Sequence, residues 1–248
     1  MSRTAVIVWK SIGVSVVAIL LIGAVVWGYV MSPAAEPCRS MHYEIQDASD
    51  RLYLTEEELN KMLQTEDIYP VGRPQNRISL YRIESAVAHH PMVRTAECYI
   101  TPRFEVKVRL TQRVPLLHVQ TVGENYFIDT DRKVLPYRSS IQDNVLRVTG
   151  TVGTQFASEQ LGDFAEWLQS NRYWRKRIHH LQVQSPHMIY IYLNDPEQPR
   201  IVLGSMPGHE QKLAKLRTFL ENNEEATQDK HYTEYDIRFE GQVIGRNL

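Results

Sequence analysis

Apolar positions are unevenly spread along this chain, and the densest group is continuous rather than periodic. Residues 11–35 contain no charge, and within them Val16-Val17-Ala18-Ile19-Leu20-Leu21-Ile22 and Val25-Val26-Trp27 form nearly unbroken runs. As a helix, residues 11–31 would rise about 31 Å, close to the roughly 30 Å hydrocarbon core of a bilayer. A cleaved signal peptide is the competing reading, with Arg3 and Lys10 as its basic start and Pro33-Ala34-Ala35 as the cleavage site. The apolar region of such peptides usually runs about 7–15 residues, so length favours an uncleaved anchor. Trp9, Trp27 and Tyr29 fall near the two ends, where amphipathic rings favour the headgroup region. Arg3 and Lys10 precede the span while Glu36 and Arg39 nearly cancel after it, so the positive-inside bias keeps residues 1–10 in the cytoplasm and exports the rest. Pro33 and Pro37 mark residues 32–40 as a linker.

Beyond the linker the periodicities become those of a water-facing fold. Residues 41–47 read as a short strand. Thr55 and Glu58 then form a capping box, Leu54 and Leu59 are spaced for a hydrophobic staple, and Leu59, Met62 and Leu63 supply an apolar face. A Pro/Gly stretch, Tyr69-Pro70-Val71-Gly72-Arg73-Pro74, ends that helix. A second helix starts near Ser79, carries Leu80, Ile83 and Val87 on one stripe, and stops at His89-His90-Pro91, because proline disfavours helix at the residue before it. Two strands follow. Ala96, Cys98 and Ile100 share one face of the first. In the second, Phe104, Val106, Val108 and Leu110 alternate with Glu105, Lys107 and Arg109 in a pattern running on to Gln112-Arg113-Val114-Pro115. The order is β-α-α-β-β in about 70 residues, enough for a three-stranded sheet covered by two helices and too small for a buried catalytic cleft.

The rest of the chain repeats the mixture. Tyr126-Phe127-Ile128-Asp129 and Val134-Leu135-Pro136 flank a polar turn as a hairpin, followed by a strand at Val145-Leu146-Arg147-Val148-Thr149-Gly150. Leu161, Phe164, Ala165 and Leu168 have helical spacing. Strands are expected at residues 181–183, 188–193 and 200–203, the last two separated by Asn194-Asp195-Pro196, then a helix with Leu213, Leu216 and Leu220. The chain closes on Tyr235-Asp236-Ile237-Arg238-Phe239 and Gln242-Val243-Ile244.

Composition narrows the classes. The 248 residues are 43% hydrophobic and 23% charged, with formal net charge -1 and only 2 Cys, which excludes a disordered, collagenous or disulfide-stapled chain and gives no basic field for nucleic acid. Outside the flanks of the apolar segment the balance is mildly acidic, so specificity rests on strand edges and pockets rather than on long-range steering. Cys38 reads as a flexible membrane-proximal thiol and Cys98 as a small buried apolar residue, in preference to a disulfide between them.

No local signature of nucleophilic, zinc, P-loop or dinucleotide chemistry occurs, so neither a catalytic residue, a resident metal nor a cofactor is expected. Asp129-Thr130-Asp131 could hold a hard cation, as in a membrane-anchored envelope glycosyltransferase. Two carboxylates alone make a thin site, however, and a strand end followed by a turn explains them more simply. His89-His90 and His179-His180 read as terminal or surface histidines, because adjacent side chains point apart on a regular element. The run Arg172-Tyr173-Trp174-Arg175-Lys176-Arg177 reads as a solvated helix end rather than as a lipid or polymer contact.

These motifs, in this order, resemble the FtsQ (DivIB) family of bacterial cell-division proteins. A single N-terminal span, then β-α-α-β-β with His90-Pro91-Met92-Val93 leading into the second strand, is similar to that family's POTRA domain. Its usual Glu-Arg-x-Pro motif appears here as Gln112-Arg113-Val114-Pro115, and its Asp-Leu-Arg-Tyr signature as Asp236-Ile237-Arg238-Phe239. The resemblance implies an α+β fold: a cytoplasmic tail (residues 1–10), a transmembrane helix (11–31), a linker (32–40), a POTRA domain (41–116) and a C-terminal mixed α/β domain built on an antiparallel sheet (117–248). It further implies a non-enzymatic, single-pass inner-membrane protein of the division septum, its C-terminal domains periplasmic. Such a protein binds FtsB and FtsL homologues and helps regulate septal peptidoglycan synthesis. Carried over by motif, Arg113 and Pro115 are the POTRA motif residues. Phe239, Gly241, Val243, Ile244 and Arg246 are the partner-binding residues, Arg246 standing where some relatives have tryptophan. For Phe239 a place in the sheet core is the equal alternative.

Overall fold

A computed structural model describes residues 16–27, 36–46, 53–141, 145–195, 197–222 and 232–247. Residues 16–27 form a helix, α1, on which Val16, Ile19, Leu20, Ile22 and Trp27 are exposed. Among the described residues no helix is long and apolar enough to cross a membrane, and residues 11–15 and 28–31 of the expected span lie outside them. The chain divides into two compact units, Met1–Gln112 and Arg113–Leu248.

The first unit contains β1 (Ser40–Ile45), α2 (Glu56–Thr65), α3 (Leu80–His89), β2 (Val93–Ile100) and β3 (Glu105–Gln112). Its sheet has the order β1-β3-β2, with β1 parallel and β2 antiparallel to the central β3. Local signals set the helix ends. Thr55 Oγ1 accepts the Glu58 N–H at 3.2 Å, and Ser79 Oγ accepts that of Arg82 at 3.3 Å, each taking up a donor that the first helical turn leaves unpaired. Leu54 and Leu59 are both buried, as a staple requires. Buried Leu63, Ile83 and Val87 on the helices, with Val106, Val108 and Leu110 on β3, make the core between helix layer and sheet.

One expectation in this unit needs correction. Cys38 is not a flexible thiol: it is 3% exposed, its N–H donates to Arg73 O, its carbonyl accepts from Gly72 N, and its Sγ donates to Ser40 O at 3.3 Å. His90 is terminal, as expected, and caps the C-terminal end of α3. Its Nδ1 accepts the Met92 N–H, which leaves Nε2 to face Glu58 of α2 at 3.2 Å, so the ring links the end of α3 to the start of α2.

The second unit contains β4 (Pro115–Gln120), β5 (Asn125–Asp129), β6 (Val134–Pro136), β7 (Leu146–Gly150), α4 (Thr154–Phe156), α5 (Gly162–Ser170) and α6 (Arg172–Arg175). It continues with β8 (Ile178–Ser185), β9 (Met188–Leu193), β10 (Arg200–Gly204), α7 (His209–Asn222), β11 (Glu234–Asp236) and β12 (Ile244–Arg246). A π-helical turn, Ala157–Leu161, joins α4 to α5. The sheet has nine strands in the order β12-β11-β10-β9-β8-β7-β4-β5-β6. It is mixed, not antiparallel as expected: β4 and β7, β7 and β8, and β10 and β11 run parallel. Crossover connections explain the last two, because a helical return over one face, α4–α6 after β7 and α7 after β10, delivers the next strand in the same direction. The strand expected to run on from Phe104 to Pro115 also breaks in two. β3 ends at Gln112, and Pro115 opens β4, an interior strand of the other sheet.

Leu117, Val119, Val148, Leu181, Val183, Ile189, Ile191, Ile201 and Leu203 share the face covered by Phe164, Ala165 and Leu168 of α5 and Leu213 and Leu216 of α7. On the other face the register aligns His118, Arg147, His180 and Tyr192 across four strands. The register shifts between Ile178 and His180, which allows Ile178 and Leu181, an odd number of residues apart, to enter the same core. That bulge also brings the rings of His179 and His180 within 6.1 Å, where a regular strand would point them apart.

Candidate docking edge at the C-terminal strands

The last two strands are held by an ionic cluster that sits among apolar neighbours. Glu234 and Asp236 point to one face of β11 and are 4% and 0% exposed. Arg200 on β10 reaches Glu234 Oε2 through Nε at 2.9 Å and through NH2 at 2.8 Å. Arg238 binds Asp236 with its backbone N–H at 3.2 Å, with Nε at 2.9 Å and with NH2 at 2.7 Å. From β12, Arg246 reaches Asp236 at 3.0 Å and Glu234 at 3.6 Å. Two buried carboxylates therefore meet three guanidiniums, the arrangement under which buried charge is tolerated. Burial pushes the Asp236 carboxyl up, but the hydrogen bonds from Arg238 and the charges of Arg238 and Arg246 outweigh it and hold its pKa below the ordinary value.

Between β11 and β12 the chain turns beside Lys215 in the middle of α7. The Ile237 N–H donates to Val202 O at 3.1 Å, and Lys215 Nζ on α7 donates to the carbonyls of Ile237, at 3.2 Å, and Phe239. Gly241 has φ 72, a left-handed conformation that suits glycine. Phe239 is 44% exposed, its ring 5.5 Å from the Arg238 guanidinium, so the core alternative for it fails: the strand has ended before it. Val243 is partly buried against the core, and Ile244 is half-buried in β12. β12 is the last strand of the sheet, paired with β11 on one side. At its middle, a Cβ on Gly245 would lie 2.6 Å from the Tyr232 ring.

The other motif residues lie at the start of the same unit. Arg113 NH1 contacts Asp129 Oδ2 at 2.7 Å and Asp131 Oδ2 at 3.4 Å. Asp129, 1% exposed, also accepts the N–H groups of Asp131 and Lys133 on Oδ1. The suggested cation site at Asp129 and Asp131 is thus filled by an arginine and by the backbone of its own turn. Gln112 is buried and accepts the Tyr53 N–H at 2.7 Å. Pro115 is buried at the first residue of β4, where its missing N–H is tolerated.

The basic run is more than a solvated end. Asn171 caps α6, Trp174 is buried, and Arg177 and Arg217 lie 3.8 Å and 4.7 Å from the Tyr173 ring centroid. His180 pairs with Thr149 at 2.8 Å and stacks on Tyr192. Among the described residues no group of His, Cys, Asp or Glu side chains is placed to hold a metal ion. Sequence reasoning missed Arg200, Glu234 and Lys215. For Arg200 and Glu234 the one sequence signal is charge at positions flanking apolar strand residues, which single-strand patterning assigns to solvent, and Lys215 lies on the helix α7, where a lysine reads as part of the polar face.

In comparisons with known proteins, the POTRA-like domain matches residues 36–111 and the FtsQ/DivIB, C-terminal related domain matches residues 114–246. No match was found among curated proteins.

Proposed function

Because the chain belongs to the FtsQ/DivIB family, we propose that it is a non-enzymatic scaffold of the bacterial cell-division machinery that docks partner proteins on the β12 edge. Residues 11–31 act as its membrane anchor, with the two units on the periplasmic side at the septum. The partners are FtsB and FtsL homologues, and by binding them the protein helps localise and regulate septal peptidoglycan synthesis.

The observation that carries this reading is a short edge strand whose outer side has no partner among the described residues, placed beside an exposed aromatic ring. Edge strands recruit extended segments by hydrogen bonding of the main chain, while neighbouring side chains select among them. Three residues are too few to pair indiscriminately, yet Arg246 holds them in register on β11. Phe239 and Ile244 offer apolar contact at either end of the turn, and Gly241 keeps that turn tight.

Co-purification of the full-length chain with FtsB and FtsL homologues tests the proposal. Complex formation that Ile244→Pro abolishes is the expected result. Absence of binding to either homologue, with normal septation after depletion, would overturn it.

A further inference from the structure

Away from that edge, the second unit carries a cavity of about 880 Å³ that joins an apolar floor to a cationic rim. Leu116, Phe127, Leu146, Leu168 and Ile178 supply the floor. Arg147, Arg175 and Lys176 supply the rim, with the imidazoles of His118 and His179, and among the described residues no Asp or Glu lines it. Strand register causes part of this crowding. His118, Arg147 and His180 are direct neighbours on β4, β7 and β8, strands that lie about 4.8 Å apart.

Arg147 and Lys176 have no ion-pair partner among the described residues, and Arg175 reaches only the Gln169 carbonyl, at 3.5 Å. The positive surroundings register at His180, whose pKa lies below its ordinary value through burial first and then through His179 and Arg147. Phosphate sites concentrate backbone N–H groups at a helix N-terminus or a nest. Here the charge sits instead on long side chains from β7 and the end of α6, a spread suited to carboxylates distributed along a chain.

We infer that this cavity is a second docking site, which takes an acidic amphipathic peptide segment of a partner protein. Its apolar side chains enter the floor, and its carboxylates pair with Arg147, Arg175 and Lys176. The inference rests on the scaffold reading only in requiring a protein partner; it does not involve β12.

The test uses the full-length chain in phosphatidylcholine nanodiscs. Its probes are a short fluorescein-labelled peptide of Leu and Glu in amphipathic order, the Leu/Gln counterpart, a Leu/Lys counterpart, inorganic phosphate, and vesicles containing phosphatidylglycerol. The Leu/Glu peptide is expected to bind and the Leu/Gln peptide not. Arg147→Glu with Lys176→Glu should weaken Leu/Glu binding by about tenfold or more, the effect of roughly one lost charge pair, and should create binding of the Leu/Lys peptide, which an unfolded variant would not do. Ile244→Pro should leave all of this unchanged, so failure here is distinct from failure at β12. Equal binding of Leu/Glu to both proteins, no binding, loss of binding in Ile244→Pro, or binding of phosphate or vesicles in place of the peptide would each overturn the proposal.

Discussion

Asp236 and Asp129 show how single carboxylates organise this protein once they leave water. Each is almost fully buried, and each has its oxygens taken by arginine and backbone donors. Removing the arginine of such a pair strands a charge, so Arg113→Ala should cost about 3 kcal/mol, measured by urea unfolding, with Arg113→Lys recovering part of it. At Asp236 the sign of the pH dependence follows from its depressed pKa. Its stabilising contribution is fully present above the unfolded carboxylate value near 4 and is lost as pH falls through the folded value. Unfolding midpoints measured from pH 6 to pH 3 should therefore fall less steeply in Asp236→Asn than in the native chain. Gly245 answers to space rather than charge: Gly245→Ala drives a methyl into the Tyr232 ring, and should loosen β12 as read by faster amide exchange across residues 233–246.

At the scale of elements, ends and edges matter more than interiors. The caps of α2 and α3 were legible because Thr55 and Ser79 each stand directly before an apolar stripe. Thr55→Ala should lower the stability of the first unit by about 1 kcal/mol in thermal unfolding. β4 was illegible. Pro115-Leu116-Leu117 continues the alternation of β3 without a glycine or asparagine to mark the break, and which sheet a strand joins is not encoded in its own pattern. β12 depends on a partner strand more than on propensity. Ile244→Pro should cost under about 1 kcal/mol of stability, since an edge strand loses little from one missing donor, while removing the docking edge from partner binding assays.

For the whole molecule, the division after Gln112 separates two hydrogen-bonded sheets, each with its own core. A fragment beginning at Arg113 is expected to fold and melt cooperatively by circular dichroism. A fragment beginning at Leu116 should melt at lower temperature, because it leaves Asp129 without Arg113. The difference locates a structural requirement at the start of the second unit, in Arg113.

Periodicity, capping residues and proline positions along the chain were sufficient for the β-α-α-β-β order of the first unit and for most strands and helices of the second, while the family was legible only as a resemblance of ordered motifs such as Asp236-Ile237-Arg238-Phe239. Those signals are local: they report which face of an element is apolar and where it stops. Tertiary structure alone decided the mixed direction of the large sheet, the burial of Cys38, the meeting of His90 with Glu58, and the closing of Asp129 by Arg113. It also decided the meeting of Arg200, Glu234, Asp236, Arg238 and Arg246 around the final strands. Each of these depends on contacts between residues distant along the chain. Charge at such a position reads as solvent-facing until the partner that neutralises it is brought alongside.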